Sequence, residues 1–290
     1  MLKLVSTPIG NLGDLSPRAA QALCEADIIA CEDTRTTRKL VTLCSLQIRA
    51  KLLAYHDHNG HEMRPKLLSY MKSGKQIVLV SDAGTPLISD PGYKLVAACH
   101  EQNIPVTAIP GASAPLMALT ISGLPTDRFT FQGFVPQKQN AARAHISESA
   151  SLTMTQIWFE APRRLAKTLA LMAEIYGDRL AVITRELTKL HETIERDRLG
   201  LLAEKYARND PPKGELVLLV EGADKSAQSY DEEAVRALLG DILQNSSVKD
   251  AAREAEALTG WPRRSLYQIA LSIAQKDRSR KKINSPKKIN

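Results

Sequence analysis

What most limits the fold of this chain is an alternation, along roughly its first 120 residues, of short apolar runs with longer segments of helical spacing. Leu2–Val5, Leu52–Tyr55, Ile77–Val80 and Val106–Ile109 are rich in Val, Ile and Leu and closed by turn residues, as strands are. Between them, Pro17–Ala26, Thr36–Leu43, Glu62–Met71 and Tyr93–Gln102 read as helices. Ser16 stands before Pro17, a cap residue ahead of a proline at the first helical position. Gly74 is placed to close the third helix. Such alternation predicts a mostly parallel sheet covered by helices, because parallel neighbours need a crossover long enough to hold one.

A turn-rich break, Ser122-Gly-Leu-Pro-Thr-Asp127, separates this stretch from a second one. There the predicted strands are Phe129–Phe134, Gln156–Phe159, Leu180–Thr184 and Leu216–Val220, with helices over Arg163–Tyr176 and Leu199–Ala207. After Gly222 only helices are expected: Asp231–Gln244, Val248–Leu258 ended by Gly260, and Arg263 to about Gln275. The expected organisation is two consecutive α/β domains, over 1–123 and 124–222, followed by a small helical, helix-turn-helix-like module over 223–275 and a disordered basic tail over 276–290.

Charge narrows the range of partners. The formal net charge is +7, but Lys276–Asn290 alone carries +6, so the body is close to neutral. A basic tail adds salt-sensitive attraction to phosphate backbones without sequence selectivity, and is otherwise a solvated extension. The four cysteines, Cys24, Cys31, Cys44 and Cys99, form no CxxC and read as reduced thiols. No apolar run approaches the roughly 18 residues of a membrane span, and the start shows no charged leader followed by a long apolar region.

Several large enzyme classes lack their signatures. GxxxxGK[ST] and HExxH are absent, Gly10-Asn-Leu-Gly13 is not GxGxxG, and Ser113 in Gly111-Ala-Ser-Ala-Pro115 misses the GxSxG elbow at its last position. His56-Asp-His-Asn-Gly-His61 could hold zinc as in metallo-β-lactamase-like hydrolases, but Gly60 stands where that pattern requires Asp. A polar loop at a cleft rim is the preferred reading, and no metal is expected.

More informative is where the Gly- and Pro-rich turns fall. Thr7-Pro-Ile-Gly10 follows the first predicted strand, Ser81–Gly92 the third and Pro110-Gly-Ala-Ser-Ala114 the fourth. In an open α/β sheet these loops share the edge at which ligands bind. Small residues there let a ligand approach the backbone. Three such loops predict a pocket able to hold a nucleoside.

Val5-Ser-Thr-Pro-Ile-Gly-Asn-Leu12, Glu32-Asp-Thr-Arg35, His56-Asp-His-Asn59, Ser81–Gly92, Gly123–Phe129, Gly133-Phe-Val-Pro136, Arg185–Lys189 with Glu192, and Gly214–Gly222 together carry a resemblance. The chain resembles the tetrapyrrole methylase superfamily of class III SAM-dependent methyltransferases, in its branch acting on a cytidine ribose of small-subunit (16S) ribosomal RNA. The resemblance extends to about Tyr267. It implies S-adenosyl-L-methionine (SAM) between the two α/β domains, 2′-O-methylation of that cytidine, a homodimer and a cytoplasmic location. By position it implies cofactor contacts at Ile9, Ala83, Gly84, Thr85, Ile88, Ser113, Ala114, Glu160 and Leu187. Thr85 stands where most of the superfamily has Asp, and the first loop lacks the usual GxGPG.

Methyl transfer to a ribose hydroxyl calls for orientation and for a base or cation beside the incipient oxyanion. Lys189 with Glu186 is one candidate pair, with Lys189 as a base if desolvation lowers its pKa. Asp33 with Arg35 is the other, with Arg35 alternatively gripping a phosphate. For stacking an RNA base the candidates are Phe129, Phe131, Phe134, Phe159 and Tyr93, although the spacing within Phe129–Phe134 reads first as a strand's buried face. The expected substrate is a small ribosomal particle or an assembly intermediate, with the tail, Arg263 and Arg264 contributing to docking. The alternatives are a tetrapyrrole carbon methyltransferase using the same cleft, a zinc hydrolase on His56, His58 and His61, and a non-catalytic RNA-binding assembly factor.

Overall fold

The computed structural model describes residues 1–224, 232–244, 246–259 and 261–283. The chain divides into two compact units, Met1–Ala223 and Asp224–Asn290. The first unit holds two five-stranded sheets.

The first sheet comprises β1 (Leu2–Val5), β2 (Ile28–Cys31), β3 (Lys51–Ala54), β4 (Ile77–Val80) and β5 (Val106–Ile109), in the order β3-β2-β4-β1-β5. Every pairing in it is parallel. Helices α1 (Pro17–Glu25), α2 (Thr34–Leu43), α3 (Gly60–Lys72) and α4 (Tyr93–Glu101) connect the strands. Successive strand residues alternate between the two faces. Ile28, Ala30, Ile77 and Leu79 pack with Leu67, Met71 and Leu95 of α3 and α4. Ile29, Cys31, Val78 and Val80 pack instead with Ala19, Ala22 and Leu23 of α1. The capping expectations hold: Ser16 Oγ accepts the Ala19 N–H at 3.1 Å, and Gly74 sits at φ +87° just past α3.

β2 is an addition to the sequence-based strand set. Its run Ile-Ile-Ala-Cys follows α1 after only Ala26 and Asp27, with no Gly or Pro to separate them. All four residues are buried, so β2 is a central strand with no polar face to betray it. β1 and β4 are neighbours, yet α1 leaves to one face and α4 to the other. The carboxyl ends of these two strands therefore open a crevice, the usual ligand site of such sheets.

The second sheet comprises β6 (Phe129–Phe134), β7 (Thr155–Glu160), β8 (Leu180–Arg185), β9 (Thr193–Arg198) and β10 (Leu216–Val220), ordered β6-β7-β10-β8-β9. Only β6 and β7 run parallel; the other three pairings are antiparallel. β9, Thr-Ile-Glu-Arg-Asp-Arg, is a charged edge strand without a strand-like apolar pattern and a second addition to the sequence-based strand set. Helices α6 (Gln139–Glu148), α7 (Leu165–Tyr176) and α8 (Leu199–Arg208) cover one face over Trp158, Ile183 and Leu218. The opposite face, through Ile157, Val182, Val217 and Leu219, packs on Ala118 and Leu119 of α5 (Ala114–Ser122) and on Ile9 and Leu187. α5 begins at the loop after β5 and ends at Gly123, φ +67°, so this helix and the Ile9 loop join the two sheets.

The second unit holds α9 (Glu232–Ile242), α10 (Val248–Thr259) and α11 (Arg263–Ile283) around Val235, Leu239, Ala251, Ala255, Leu266 and Ala270. α11 continues past the expected end at Gln275 to Ile283, into the segment expected to be a disordered tail. The rest of that tail, 284–290, and Gly260 lie outside the described residues. Among the described residues no helix is long and apolar enough to cross a membrane, and all four cysteines are free thiols.

Candidate functional site

A cavity of about 390 Å³ lies in the first unit where the loops after β1, β4 and β5 meet the second sheet. The loops are tied together by the backbone. Thr7 and Gly84 exchange two hydrogen bonds, N–H to O=C, at 2.9 and 3.1 Å. Gly84 holds φ +81°, and a Cβ there would stand 3.3 Å from Ile9 Cγ2, so the glycine permits both the turn and the close approach. Thr85 Oγ1 donates to the Ala112 carbonyl at 2.9 Å and lies 3.2 Å from Ser6 Oγ. The hydroxyl at the position of the missing Asp thus ties three loops to one another.

Ile9, Ala83, Gly84, Thr85, Ile88, Ser113, Ala114, Glu160 and Leu187 all line this cavity. They are drawn from three loops of the first sheet and two segments of the second, spread over 179 positions of sequence. Its apolar part is formed by Ile9, Leu187, Val217 and Phe159, which belong to the cluster between the sheets. The Glu160 carboxylate is already committed: it pairs with Arg164 at 2.5 Å and accepts from Thr168 Oγ1 and the Ala161 N–H. Glu160 therefore offers a ligand mainly its backbone.

None of Lys189, Glu186, Asp33 and Arg35 lines the cavity; each pair is joined to it through a carboxylate that does. Lys189 Nζ donates to Glu186 Oε1 and to Glu215 Oε2, both at 2.9 Å, and Glu215 is a lining residue. Glu186 Oε1 also accepts the Glu215 N–H at 2.9 Å. A Cβ on Gly214 would overlap the Glu186 carboxyl, and one on Gly10 would overlap the Lys189 stem. Both glycines are therefore part of what seats this cluster. Burial lowers the Lys189 pKa, but its hydrogen bonds to Glu215 and Glu186 outweigh that and the net shift is upward. The desolvation that a neutral lysine base would need is thus outweighed by the two carboxylates facing Lys189. Glu186 moves down, chiefly through its bond to Lys189 and then through the Glu215 N–H.

At the other pair, Asp33 caps α2 by accepting the Arg35 N–H at 2.8 Å and grips the Arg35 guanidinium at 2.6 Å. That hydrogen bond pulls the Asp33 carboxyl down to about 2. The Asp33 N–H donates to Asp82 Oδ1 at 3.1 Å, and Asp82 lines the cavity, while the Arg35 side chain is 87% exposed.

Other lining residues were not singled out from the sequence. Asp82 and Asp90 lie inside the Ser81–Gly92 loop, but carboxylates in a turn carry no distinguishing pattern. Asp90 is pushed up by burial and by Asp82, against a hydrogen bond from Ser81 that lowers it. Glu32, outside the lining, is likewise raised, by burial first and then by Asp90 and Asp82. Glu215 escaped notice because its partner Lys189 lies 26 residues away.

The histidine loop is explained as a turn. Asn59 Oδ1 accepts the His56 N–H and Asn59 Nδ2 donates to the Ala54 carbonyl, both at 2.9 Å, ahead of α3. His61 pairs with Glu62 on the surface, and His56 and His58 meet edge to face at 5.9 Å. No three ligating side chains converge there or elsewhere among the described residues, and no histidine lines the cavity.

Comparison with known proteins bears on most of the chain. Residues 1–203 match the family described as Tetrapyrrole (Corrin/Porphyrin) Methylases, and residues 230–274 match that described as RsmI C-terminal HTH domain. A protein of Mesorhizobium japonicum named ribosomal RNA small subunit methyltransferase I is 46% identical, over 94% of this chain and 92% of that one. Proteins of the same name are 45% identical in Synechocystis sp. (94% and 98% covered) and 42% identical in Vibrio cholerae (93% and 94%). Diphthine synthase shares the fold at 18% identity with a TM-score of 0.57, over 76% of this chain and 89% of its own. A Thermus thermophilus uroporphyrin-III C-methyltransferase, complexed with S-adenosylhomocysteine, does so at 18% identity and 0.52, over 76% and 96%.

Proposed function

This chain belongs to the tetrapyrrole methylase family, among the ribosomal RNA small subunit methyltransferases I, and we propose that it transfers a methyl group from SAM to the ribose 2′-hydroxyl of a cytidine in 16S ribosomal RNA. One observation carries the reading: nine residues scattered along the sequence converge on a single cavity at the β1/β4 crevice. The chemistry of that cavity suits the cofactor. Gly84 lines the cavity, and Gly111 lets the loop after β5 pack on the loop after β1, since a Cβ there would stand 2.8 Å from Ser6 Cβ. Ile9, Leu187 and Val217 give an apolar floor, and Asp82 and Asp90 supply negative charge toward a cationic ligand. When bound, SAM provides an electrophilic methyl on a sulfonium, open to in-line displacement.

The residues of the chain then divide the remaining work. Backbone groups of the three loops would hold the cofactor, and fixing an acceptor hydroxyl in line with its methyl would contribute several kcal/mol by orientation, on the order of magnitude known for such positioning. Lys189, kept charged by Glu186 and Glu215, serves as a fixed cation toward the developing oxyanion or an adjoining phosphate. Arg35, held by Asp33 and open to solvent, is placed to grip phosphate. The family reading extends to a cytoplasmic enzyme acting on a small ribosomal particle or assembly intermediate. The tail and the exposed Arg263 and Arg264 would add attraction to RNA. A homodimer is supported by α5, a mostly apolar helix that leaves Leu116 and Met117 exposed by 49% and 41%.

Incubation with methyl-labelled SAM and, in parallel, unmodified small subunits, free rRNA or a porphyrinoid tests the proposal. Label should enter the particle. Label in the porphyrinoid alone would give the same cleft to a tetrapyrrole acceptor, and SAM binding without transfer to any RNA would remove the assignment.

A further inference from the structure

β6 contains an irregularity that changes where one aromatic ring ends up. Phe131 pairs with Ile157 and Phe134 with Phe159, so three steps on β6 match two on β7. The extra residue is absorbed at Gly133, which holds φ +69° as few other residues could. Ile157 and Phe159 share one face of β7. The bulge therefore brings Phe134 onto the same face as Phe131, whereas an unbroken strand would turn it away. Phe159 meets both rings, at 5.0 Å from Phe131 and 5.1 Å from Phe134. The inner two rings are partly buried, but Phe134 is 56% exposed and lines the cavity. This overturns the sequence reading of Phe129–Phe134 as a buried face, since Phe129 too is 41% exposed.

An isolated exposed phenylalanine needs no explanation. One turned by a glycine bulge toward the mouth of a cavity, with a second ring fixing its inner edge, is a different matter. A cofactor enclosed over Ile9, Leu187 and Val217 would lie against the floor, whereas a nucleotide of a large particle must enter from solvent. On that side a free aromatic face offers what an unstacked base lacks. Resting on the proposed methyl transfer to RNA, we propose that Phe134 is the platform on which the base of the acceptor nucleotide stacks, holding its ribose at the cavity mouth. In this role Phe134 is a positioning residue: it orients the hydroxyl and exchanges no proton.

Phe134→Leu, Phe134→Tyr and Phe134→Trp test this in methyl transfer to unmodified small subunits, with SAM affinity measured by calorimetry. Loss of the aromatic face in Phe134→Leu should lower kcat/KM for the particle roughly tenfold to a hundredfold, mainly through KM. Tyr and Trp should restore it to within a few-fold, and because Phe134 also borders the cavity, any rise in the SAM Kd should be several-fold smaller than the rise in the acceptor KM. In Phe134→Trp, indole emission should be quenched by the particle and left unchanged by SAM alone. The proposal is overturned by a Leu variant as active as wild type, by a SAM Kd that rises in step with the acceptor KM, or by an indole the particle does not quench. Wild type that binds SAM but methylates no RNA would overturn the RNA reading itself, and the platform with it.

Discussion

Gly84 and Gly74 make a matched pair for testing whether the loop crevice is the cofactor site. Both occupy left-handed backbone, at φ +81° and φ +87°, where an L side chain costs about 1–2 kcal/mol. Gly74 has nothing within 4 Å of an added methyl, whereas at Gly84 that methyl would stand 3.3 Å from Ile9 Cγ2 and 3.8 Å from the Ala112 carbonyl. Ile9 and Gly84 line the cavity and Gly84 holds both hydrogen bonds to Thr7, so relief of the contact must move a wall of the site. At about 2–4 °C per kcal/mol for a unit of this size, backbone strain alone should lower Tm by about 2–8 °C in Gly74→Ala and Gly84→Ala alike. Only Gly84→Ala should also weaken SAM binding, severalfold or more, because a shift of a few tenths of an ångström at Ile9 alters every contact on that wall. Differential scanning calorimetry and titration calorimetry on the two variants read these quantities separately. Equal SAM affinities in Gly84→Ala and wild type, or equal losses in both variants, would refute the reasoning.

Three other outcomes follow from the charged groups. Asp33→Asn keeps a competent helix cap but removes the charge whose pKa is drawn down to about 2. A depressed carboxyl stabilises above its ordinary pKa and loses that contribution as pH falls through the folded value. The wild-type Tm should therefore fall more steeply than that of the variant between about pH 4 and 2; parallel acid limbs would contradict the pairing. Arg35→Gln should raise the KM for the particle and reduce the salt slope of binding by about one, and an unchanged slope would exclude a phosphate contact there. Because Lys189 is held charged, log kcat/KM between pH 6 and 9 should show no ionisation that disappears in Lys189→Met, even though that variant is slower. A neutral pKa lost with the lysine would restore its role as a base.

Much of the fold was legible where sequence and local physics agree. β1, β4, β5, β6 and β10 begin and end as their apolar runs do, and Ser16 with Pro17 sets the start of α1. β2 was hidden because a fully buried central strand has no period, and β9 because a charged edge strand has no apolar one. α5, Ala-Pro-Leu-Met-Ala-Leu-Thr-Ile-Ser, lacks an apolar stripe because it lies between the two sheets and leaves Leu116 and Met117 exposed. The cavity wall was legible from the resemblance in loops that local turn chemistry also marks, such as Gly84 and Ser113. What sequence could not show was long-range: Glu215 across from Lys189, Asp82 beneath the Asp33 N–H, and a one-residue bulge that turns Phe134 to the cavity side. Each depends on register between segments, and a single residue of slip reverses it.

The most direct test is the identity of the methylated nucleoside. Small subunits lacking the modification, incubated with the chain and methyl-labelled SAM and then digested to nucleosides, should place the label in 2′-O-methylcytidine on mass analysis. Label on a base, or particles that stay unlabelled while SAM binds, would contradict the account.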